Sequence, residues 1–209
     1  MKIITVSREF GSGGRELGKR LADELGFDYY DNEIITAIAQ HQGMDESYVE
    51  RALENHVWQT IPLTFGRTFI GAPAMTEQIT TLLTEQRSVI EKIAKTGKDC
   101  IIVGRNADLY LNAYHPLNLF VCASMEAKIE RCMERAEGEA LTEKEIRRNI
   151  RRIDKRRASL RELISDKKWG DRSSYHLIIN TTGWSMKELT PVIADFARRW
   201  FRHSESSSE

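Results

Sequence analysis

The sequence predicts an α/β fold, a three-layer arrangement in which a parallel sheet core carries helices on both faces. Three observations predict it. Short apolar, β-branched runs recur at Met1–Val6, Cys100–Val103, Leu117–Cys122 and Tyr175–Ile179. Each is too short for a helix and is bounded by turn residues, which is how a strand buried on both faces reads. Segments with helical periodicity lie between these runs, so successive strands are joined by crossovers and run parallel. Finally, the first run leads into Gly11, Gly13 and Gly14 immediately before a helical pattern, giving strand, glycine loop and helix in that order.

The elements follow one another along the chain. Glu16 to Leu25 places Leu17, Leu21, Ala22 and Leu25 on one face, Gly26 ends that helix, and Phe27 to Tyr30 forms a short second strand reaching Asp31. From Asn32 to about Lys98 the signals are helical: Ile34, Ile35, Ile38 and Ala39, then Tyr48, Val49, Ala52 and Leu53, then Met75 to Lys95 with Ile79, Leu82, Leu83, Val89, Ile90 and Ile93. The segment Trp58 to Pro73, with two of the four prolines, reads as an irregular loop over a cleft. Helices are expected over Met125–Ala136, over the basic stretch Thr142 to about Ser165, and over Met186–Phe201, followed by a low-complexity, disordered tail at residues 204–209.

Lysine and arginine number 31 and aspartate and glutamate 31, so the formal net charge is zero. A surface that coats nucleic acid or anionic membrane as a whole is excluded. No stretch approaches the roughly 18 to 20 apolar residues of a membrane span, and MKIITVSREF runs straight into a structured pattern instead of a cleavable signal. A cytoplasmic setting is expected. Cys100, Cys122 and Cys132 are odd in number, lack CxxC spacing and sit in or beside apolar runs, as small buried hydrophobes do. His41, His56, His115, His176 and His203 show no metal-ligand spacing, and no GxSxG nucleophile motif is present.

A strand that ends in glycines and opens a helix aims backbone N–H groups and the positive end of the helix dipole at one point beyond the sheet edge, where an anion is stabilised. Ser7-Arg-Glu-Phe-Gly-Ser-Gly-Gly-Arg-Glu-Leu-Gly18 has that form, with Gly11, Ser12, Gly13, Gly14, Arg15 and Glu16 as the candidate phosphate seat. A tight turn with no ligand is the alternative. The loop departs from GxxxxGK[ST]. With Gly13 at the last glycine of that pattern, Arg8 stands at the first glycine, Gly14 at the lysine and Arg15 at the hydroxyl residue. Arg15 is one residue displaced and can pair two phosphate oxygens, so it is the expected substitute for the lysine. Glu16, Ser12 or carboxylates elsewhere would take over the missing hydroxyl's role toward Mg²⁺.

Arg147, Arg148, Arg151, Arg152, Lys155, Arg156, Arg157 and Arg161 crowd into fifteen residues of this neutral chain. They form either a solvated face paired with Glu139, Glu143, Glu145 and Glu162, or a surface that meets an anion. No aromatic residues interleave with them to stack bases, so nucleic acid is not an expected partner. Arg105 follows a strand and a glycine at the carboxyl edge of the sheet, where open α/β folds bind ligands. Asp31, at another strand end, could hold a substrate hydroxyl or a metal-bound water, or could cap the helix that starts near Asn32. Asp171, in Trp169-Gly-Asp171, could bind an acceptor or form a turn.

The run from Ile4 through the glycine loop to Asp31 keeps the order of strand, loop, helix and acidic turn that opens bacterial cytidylate kinases. Further matches are Ile101-Ile-Val-Gly-Arg-Asn106, Leu119-Phe-Val-Cys-Ala-Ser-Met125 through Arg131, Asp154-Lys-Arg-Arg157, Trp169-Gly-Asp171 and Ile178-Ile-Asn-Thr181. Over about residues 3 to 181 the chain resembles the cytidylate kinase-like family, a branch of the nucleoside monophosphate kinases with this altered loop. The resemblance implies a single domain of P-loop nucleotide kinase type over 1–203, with a core of 1–31 and 99–203, a helical acceptor lobe at 32–98 and an Arg-rich lid at about 138–172. It implies transfer of a phosphoryl group from ATP, with Mg²⁺, to a nucleoside monophosphate, most simply CMP or dCMP, without a membrane partner. Arg15, Arg131, Arg152, Arg156 and Arg157 would close on the transferring group, and Asp31, Arg105 and Asp171 would hold the acceptor. A kinase for another small acceptor is one rival, because the lobe at 32–98 shows little beyond helical character. A nucleotide- or phosphate-sensing protein that lost catalysis is another, suggested by the absent lysine and hydroxyl.

Overall fold

The computed structural model describes residues 1–55, 72–135 and 141–206. Strands β1 (Ile3–Arg8), β2 (Asp28–Tyr30), β3 (Cys100–Val103), β4 (Leu117–Cys122) and β5 (Leu177–Asn180) form one sheet, in the spatial order β2-β3-β1-β4-β5. All four pairings are parallel, with Ile4 opposite both Ile101 and Leu117. Alternation along the strands feeds two cores. Ile4, Val6, Ile101 and Val103 pack against α1 (Gly14–Leu25) and α8 (Met186–Ser206), while Ile3, Cys100 and Ile102 pack on the opposite face. That face is covered by α2 (Glu33–Gln42), α3 (Glu46–Asn55), α4 (Ala72–Lys95) and the four-residue α5 (Ala107–Tyr110). Helix α1 lies close on the sheet because Gly18 leaves room: a Cβ there would come within 2.8 Å of Val103 Cγ2.

Because the connection leaving β1 runs to β2 on one side of the sheet while that leaving β3 crosses to β4 on the other, the two diverge and open a crevice beyond the carboxyl ends of the strands. Two more helices flank it, α6 (Met125–Arg135) and α7 (Glu143–Ile164). Helix α7 starts at a capping box in which the Thr142 hydroxyl accepts from the Glu145 N–H while the Glu145 carboxylate accepts from the Thr142 N–H. Ile129, Ile146 and Ile150 join α6 to α7 in a small apolar cluster that also receives Phe10 from the glycine loop.

Several boundaries differ from the sequence reading. The last strand begins at Leu177, not Tyr175, because Arg172–Ser174 forms a 3-10 turn that Tyr175 closes. Helix α8 runs on to Ser206, so the expected tail is helical in its first three residues, with the Ser204 hydroxyl donating to the Trp200 carbonyl at 3.0 Å. Asn32, not Asp31, precedes α2, and Asp31 is drawn into ion pairs instead of a cap. Pro73 falls in the first turn of α4, where its missing N–H costs nothing. The rest of the segment read as a loop over the cleft, with Trp58, Phe65 and Phe69, lies outside the described residues. So do the side chain of Met75, residues 136–140 at the start of the expected lid, and residues 207–209. No described helix is long and apolar enough to cross a membrane.

Two polar contacts within the fold give measurable consequences. Arg161 of α7 and Asp108 of α5 form a pair at 2.7 Å with 1% and 3% of their side chains exposed. Removing one partner strands a charge away from water, so Asp108→Ala is expected to cost about 3–5 kcal/mol in denaturant unfolding; a loss under about 1 kcal/mol contradicts this. The His176 Nδ1 accepts the Asn118 N–H at 2.9 Å, and its ring lies 4.4 Å from that of Trp200 with one edge toward solvent. Burial lowers its pKa below the ordinary 6.5. The unfolded chain then takes up the proton first, so stability falls as pH drops below about 6.5 toward the lower folded value. The denaturant midpoint of the wild type should fall more between pH 7.5 and 5.5 than that of His176→Gln; equal slopes contradict the assignment.

Candidate functional site

The glycine loop is held from outside by side chains of other elements. Gly11 and Gly13 take φ of 76° and 82°, and Gly13 precedes α1 without a side chain to cap the first-turn N–H groups, which therefore suit an anion. The carbonyls turn the other way. Arg157 Nη1 donates to the Arg8 carbonyl at 3.0 Å, Arg131 Nη1 to that of Gly11 at 3.5 Å, and the Thr181 hydroxyl to that of Ser12 at 2.7 Å. The Phe10 N–H donates to Asp154 Oδ1 at 2.7 Å, and the Ser12 hydroxyl, fully buried, donates to the Glu9 carbonyl. Buried Lys128 of α6 bridges Glu9 at 2.9 Å and Asp154 at 3.5 Å. Burial pushes the Asp154 carboxyl up, and the Phe10 N–H, Arg157 and Lys128 oppose that shift.

Two openings meet at this loop. The first, a cavity of about 120 Å³, is walled by Gly11, Gly13 and Gly14 and by the cations Arg8, Arg15, Arg135 and Arg157. The second, on the sheet's other side of the loop, is lined by Arg8, Arg105, Arg156 and Arg157 together with Gln86, Leu53, Leu160 and Trp169. Arg8 and Arg157 belong to both walls. Trp169 is held edge-on to Phe120 at 5.3 Å, so its ring has a fixed orientation beside the second opening. Behind Arg105 the backbone runs through three consecutive positive φ values, 74° at Gly104, 57° at Arg105 and 53° at Asn106. Left-handed residues other than glycine cost of order 1–3 kcal/mol each. The turn is kept by buried Gln86 of α4, whose amide donates to the Arg105 carbonyl at 3.0 Å.

The structure gathers most of the sequence-derived candidates. Gly11, Ser12, Gly13 and Gly14 form the loop, and Arg15 reaches from the first turn of α1 to Asp31 at 2.5 Å. Asp31 is buried and also faces Arg8 at 3.6 Å. Glu16 pairs with Arg20 and Arg135 at the outer mouth. Arg131 holds the loop, donating also to the Thr181 carbonyl at 2.6 Å. Arg105, Arg156 and Arg157 line the second opening. Arg152 lines an adjoining hollow that shares Phe10, Gly11 and Arg135 with the first opening. Asp171 lies elsewhere: its carboxylate is exposed and caps its own turn, accepting the Ser173 N–H and hydroxyl at 2.8 Å. These bonds hold Asp171 below the usual carboxyl range.

Sequence reasoning missed Arg8, Lys128, Gln86, Arg135 and Asp154 as parts of the site. A charge closing a strand that carries no other was the available signal for Arg8, and a lone lysine among the apolar positions of α6 the signal for Lys128. Among the described residues no three His, Cys, Asp or Glu side chains cluster as a metal site would need, and the carboxylates around the loop are each engaged by a cation.

The chain is 24% identical to the cytidylate kinase of Thermotoga maritima over 93% of its own length and 96% of the relative's. An uncharacterized protein of Eubacterium ventriosum has the same architecture at 22% identity, with a TM-score of 0.70 over 95% of this chain and 99% of that one. A shikimate kinase of Bacteroides thetaiotaomicron, 12% identical, and a gluconokinase of Sinorhizobium meliloti, 13% identical, both superpose with TM-scores of 0.55. The first match covers 94% of this chain and 98% of the other, the second 100% and 98%. These likenesses make the architecture that of the P-loop kinases. A match to the family model over residues 3–183 assigns the chain itself: it belongs to the cytidylate kinase-like family.

Proposed function

We propose that this protein transfers the γ-phosphoryl group of ATP to a nucleoside monophosphate, with CMP or dCMP the simplest acceptor. One observation carries the reading: two openings, both rich in arginine, share a wall at the glycine loop. The glycine-lined cavity would seat the donor's phosphates on the first-turn N–H groups of α1. The second opening would seat an anionic acceptor against Arg105 and Arg156, with the fixed face of Trp169 and the apolar Leu53 and Leu160 beside a flat base.

The chemistry of the lining favours a phosphate acceptor over an alcohol. None of the described residues lining the second opening is a carboxylate or a histidine that could take a proton from a hydroxyl group. A phosphate monoester has its second pKa near 6 and arrives mostly deprotonated at neutral pH. One of its oxygens attacks the γ-phosphorus, the bond to the β-phosphate oxygen breaks, and a nucleoside diphosphate and ADP leave with no proton to move. What remains is charge. Arg157, already fixed on the loop, Arg15 at the mouth and Arg156 opposite would neutralise the equatorial oxygens as they crowd together. Arg131 would act on the loop's shape by holding its carbonyls. Mg²⁺ would travel with ATP, keeping mostly phosphate oxygens and water as ligands.

With labelled ATP and Mg²⁺, transfer is expected to CMP and dCMP and not to hydroxyl acceptors such as shikimate or gluconate. Transfer only to a hydroxyl acceptor, or nucleotide binding with no transfer to any acceptor, refutes the proposal. Two variants should separate the openings. Arg105→Ala is expected to raise KM for CMP at least tenfold while KM for ATP moves less than about threefold, and Arg15→Ala to lower kcat by about 100-fold while still unfolding in one cooperative transition, at a melting temperature lowered by loss of the Asp31 ion pair.

A further inference from the structure

The lysine absent from the loop and the arginine standing at its start describe one exchange. In the GxxxxGK pattern the strand's end is bare and the helix start carries the cation; here Arg8 has the side chain and Gly14 has none. The two positions compete for one space. A Cβ on Gly14 would lie 2.5 Å from the Cβ of Arg8 and 3.1 Å from its Cγ. A side chain can therefore grow from one of them only. The Arg8 guanidinium then lies over Gly104, where a Cβ would coincide with Nη1. Bare glycines on both sides of the Arg8 side chain let it run from the donor cavity into the second opening.

That position is charged and incompletely neutralised. The Arg8 side chain is 12% exposed, and Asp31, its carboxylate partner at 3.6 Å, is held more closely by Arg15 at 2.5 Å. Burial lowers the Arg8 pKa to about 9, and Arg157, Arg105 and Arg15 push in the same direction against Asp31. It remains protonated at neutral pH, in surroundings that favour the arrival of further negative charge.

We propose that Arg8 is a catalytic residue of the transfer: it takes the place of the loop lysine, and its guanidinium contacts the phosphoryl group as it passes from the donor cavity to the acceptor. The proposal rests on the kinase reading but assigns the lysine's role to a different residue from Arg15, and it gives that role a planar fork at the junction of the two seats in place of a point charge at the helix start.

The test uses Arg8→Gln, Arg8→Lys and the exchange variant R8G/G14K, each checked for a native melting curve. It reads kcat with ATP and CMP, and tripolyphosphate affinity by calorimetry. Arg8→Gln is expected to lower kcat by about 10²–10³-fold and to weaken tripolyphosphate at least tenfold, with Arg8→Lys between it and the wild type. Arg8→Gln within threefold of the wild type in both readouts overturns the proposal. Should Arg8→Gln fail to fold, R8G/G14K decides: at least a tenth of the wild-type kcat supports one shared role, and an inactive folded variant overturns it. A wild type that transfers nothing refutes the kinase reading alone, and the tripolyphosphate affinities of the wild type and the folded Arg8 variant then decide the place of Arg8.

Discussion

Guanidinium groups repel one another, and this fold brings Arg8, Arg15, Arg135 and Arg157 to the wall of one small cavity. The arrangement persists because each is held from the protein side. Arg157 hangs on a backbone carbonyl and shares Asp154 with Lys128, Arg15 and Arg8 share Asp31, and Arg135 shares Glu16 with Arg20. Carbonyls are neutral and the carboxylates are shared, so positive charge is left over at the opening. The sheet, the left-handed turn after β3 and the docking of α7 on the loop all serve to hold that excess in place before any ligand arrives. Preorganised charge of this kind needs no rearrangement when a polyanion enters.

Helix α7 shows how one run of basic residues divides by face. Arg147 pairs with Glu143 and Glu126 on the solvent side, as a solvated helix would. Arg157 turns inward to the loop, and Arg161 is buried against Asp108, with its guanidinium 5.6 Å from the centre of the Tyr175 ring. Asp154, between them, holds the Phe10 N–H. The helix is thus joined to the phosphate loop at its middle and to α5 near its end.

The layout of the sheet was legible because buried strands announce themselves: Cys100–Val103 and Leu117–Cys122 have no polar alternation except Asn118, and that residue is explained by the Thr5 hydroxyl, which donates to it at 2.7 Å. The limits of α7 were legible through Thr142 and Ser165. Tyr175 misled because its ring is as apolar as a strand residue's, yet it packs beside Phe120 as the end of a turn. The glycine loop before α1 was legible from its glycines. The surrounding cations were less so: Arg156 and Arg157 could be singled out, but Arg152, one turn away on the same helix, lines the hollow next to the first opening instead of its wall. Asp171 had the right sequence neighbours, and a local Ser173 N–H took its carboxylate. Arg8 was hidden by the frame itself, since at a position expected to be glycine an arginine reads as a defect.

The interlock of Arg8 with Gly14 and Gly104 also bears on ancestry. Passing from this loop to one with lysine at the helix start requires two changes: lysine first would put two stems into one volume, while loss of arginine first would leave Arg157 to serve both walls without Arg8. Where both single changes impair the loop, each form would be inherited as a block.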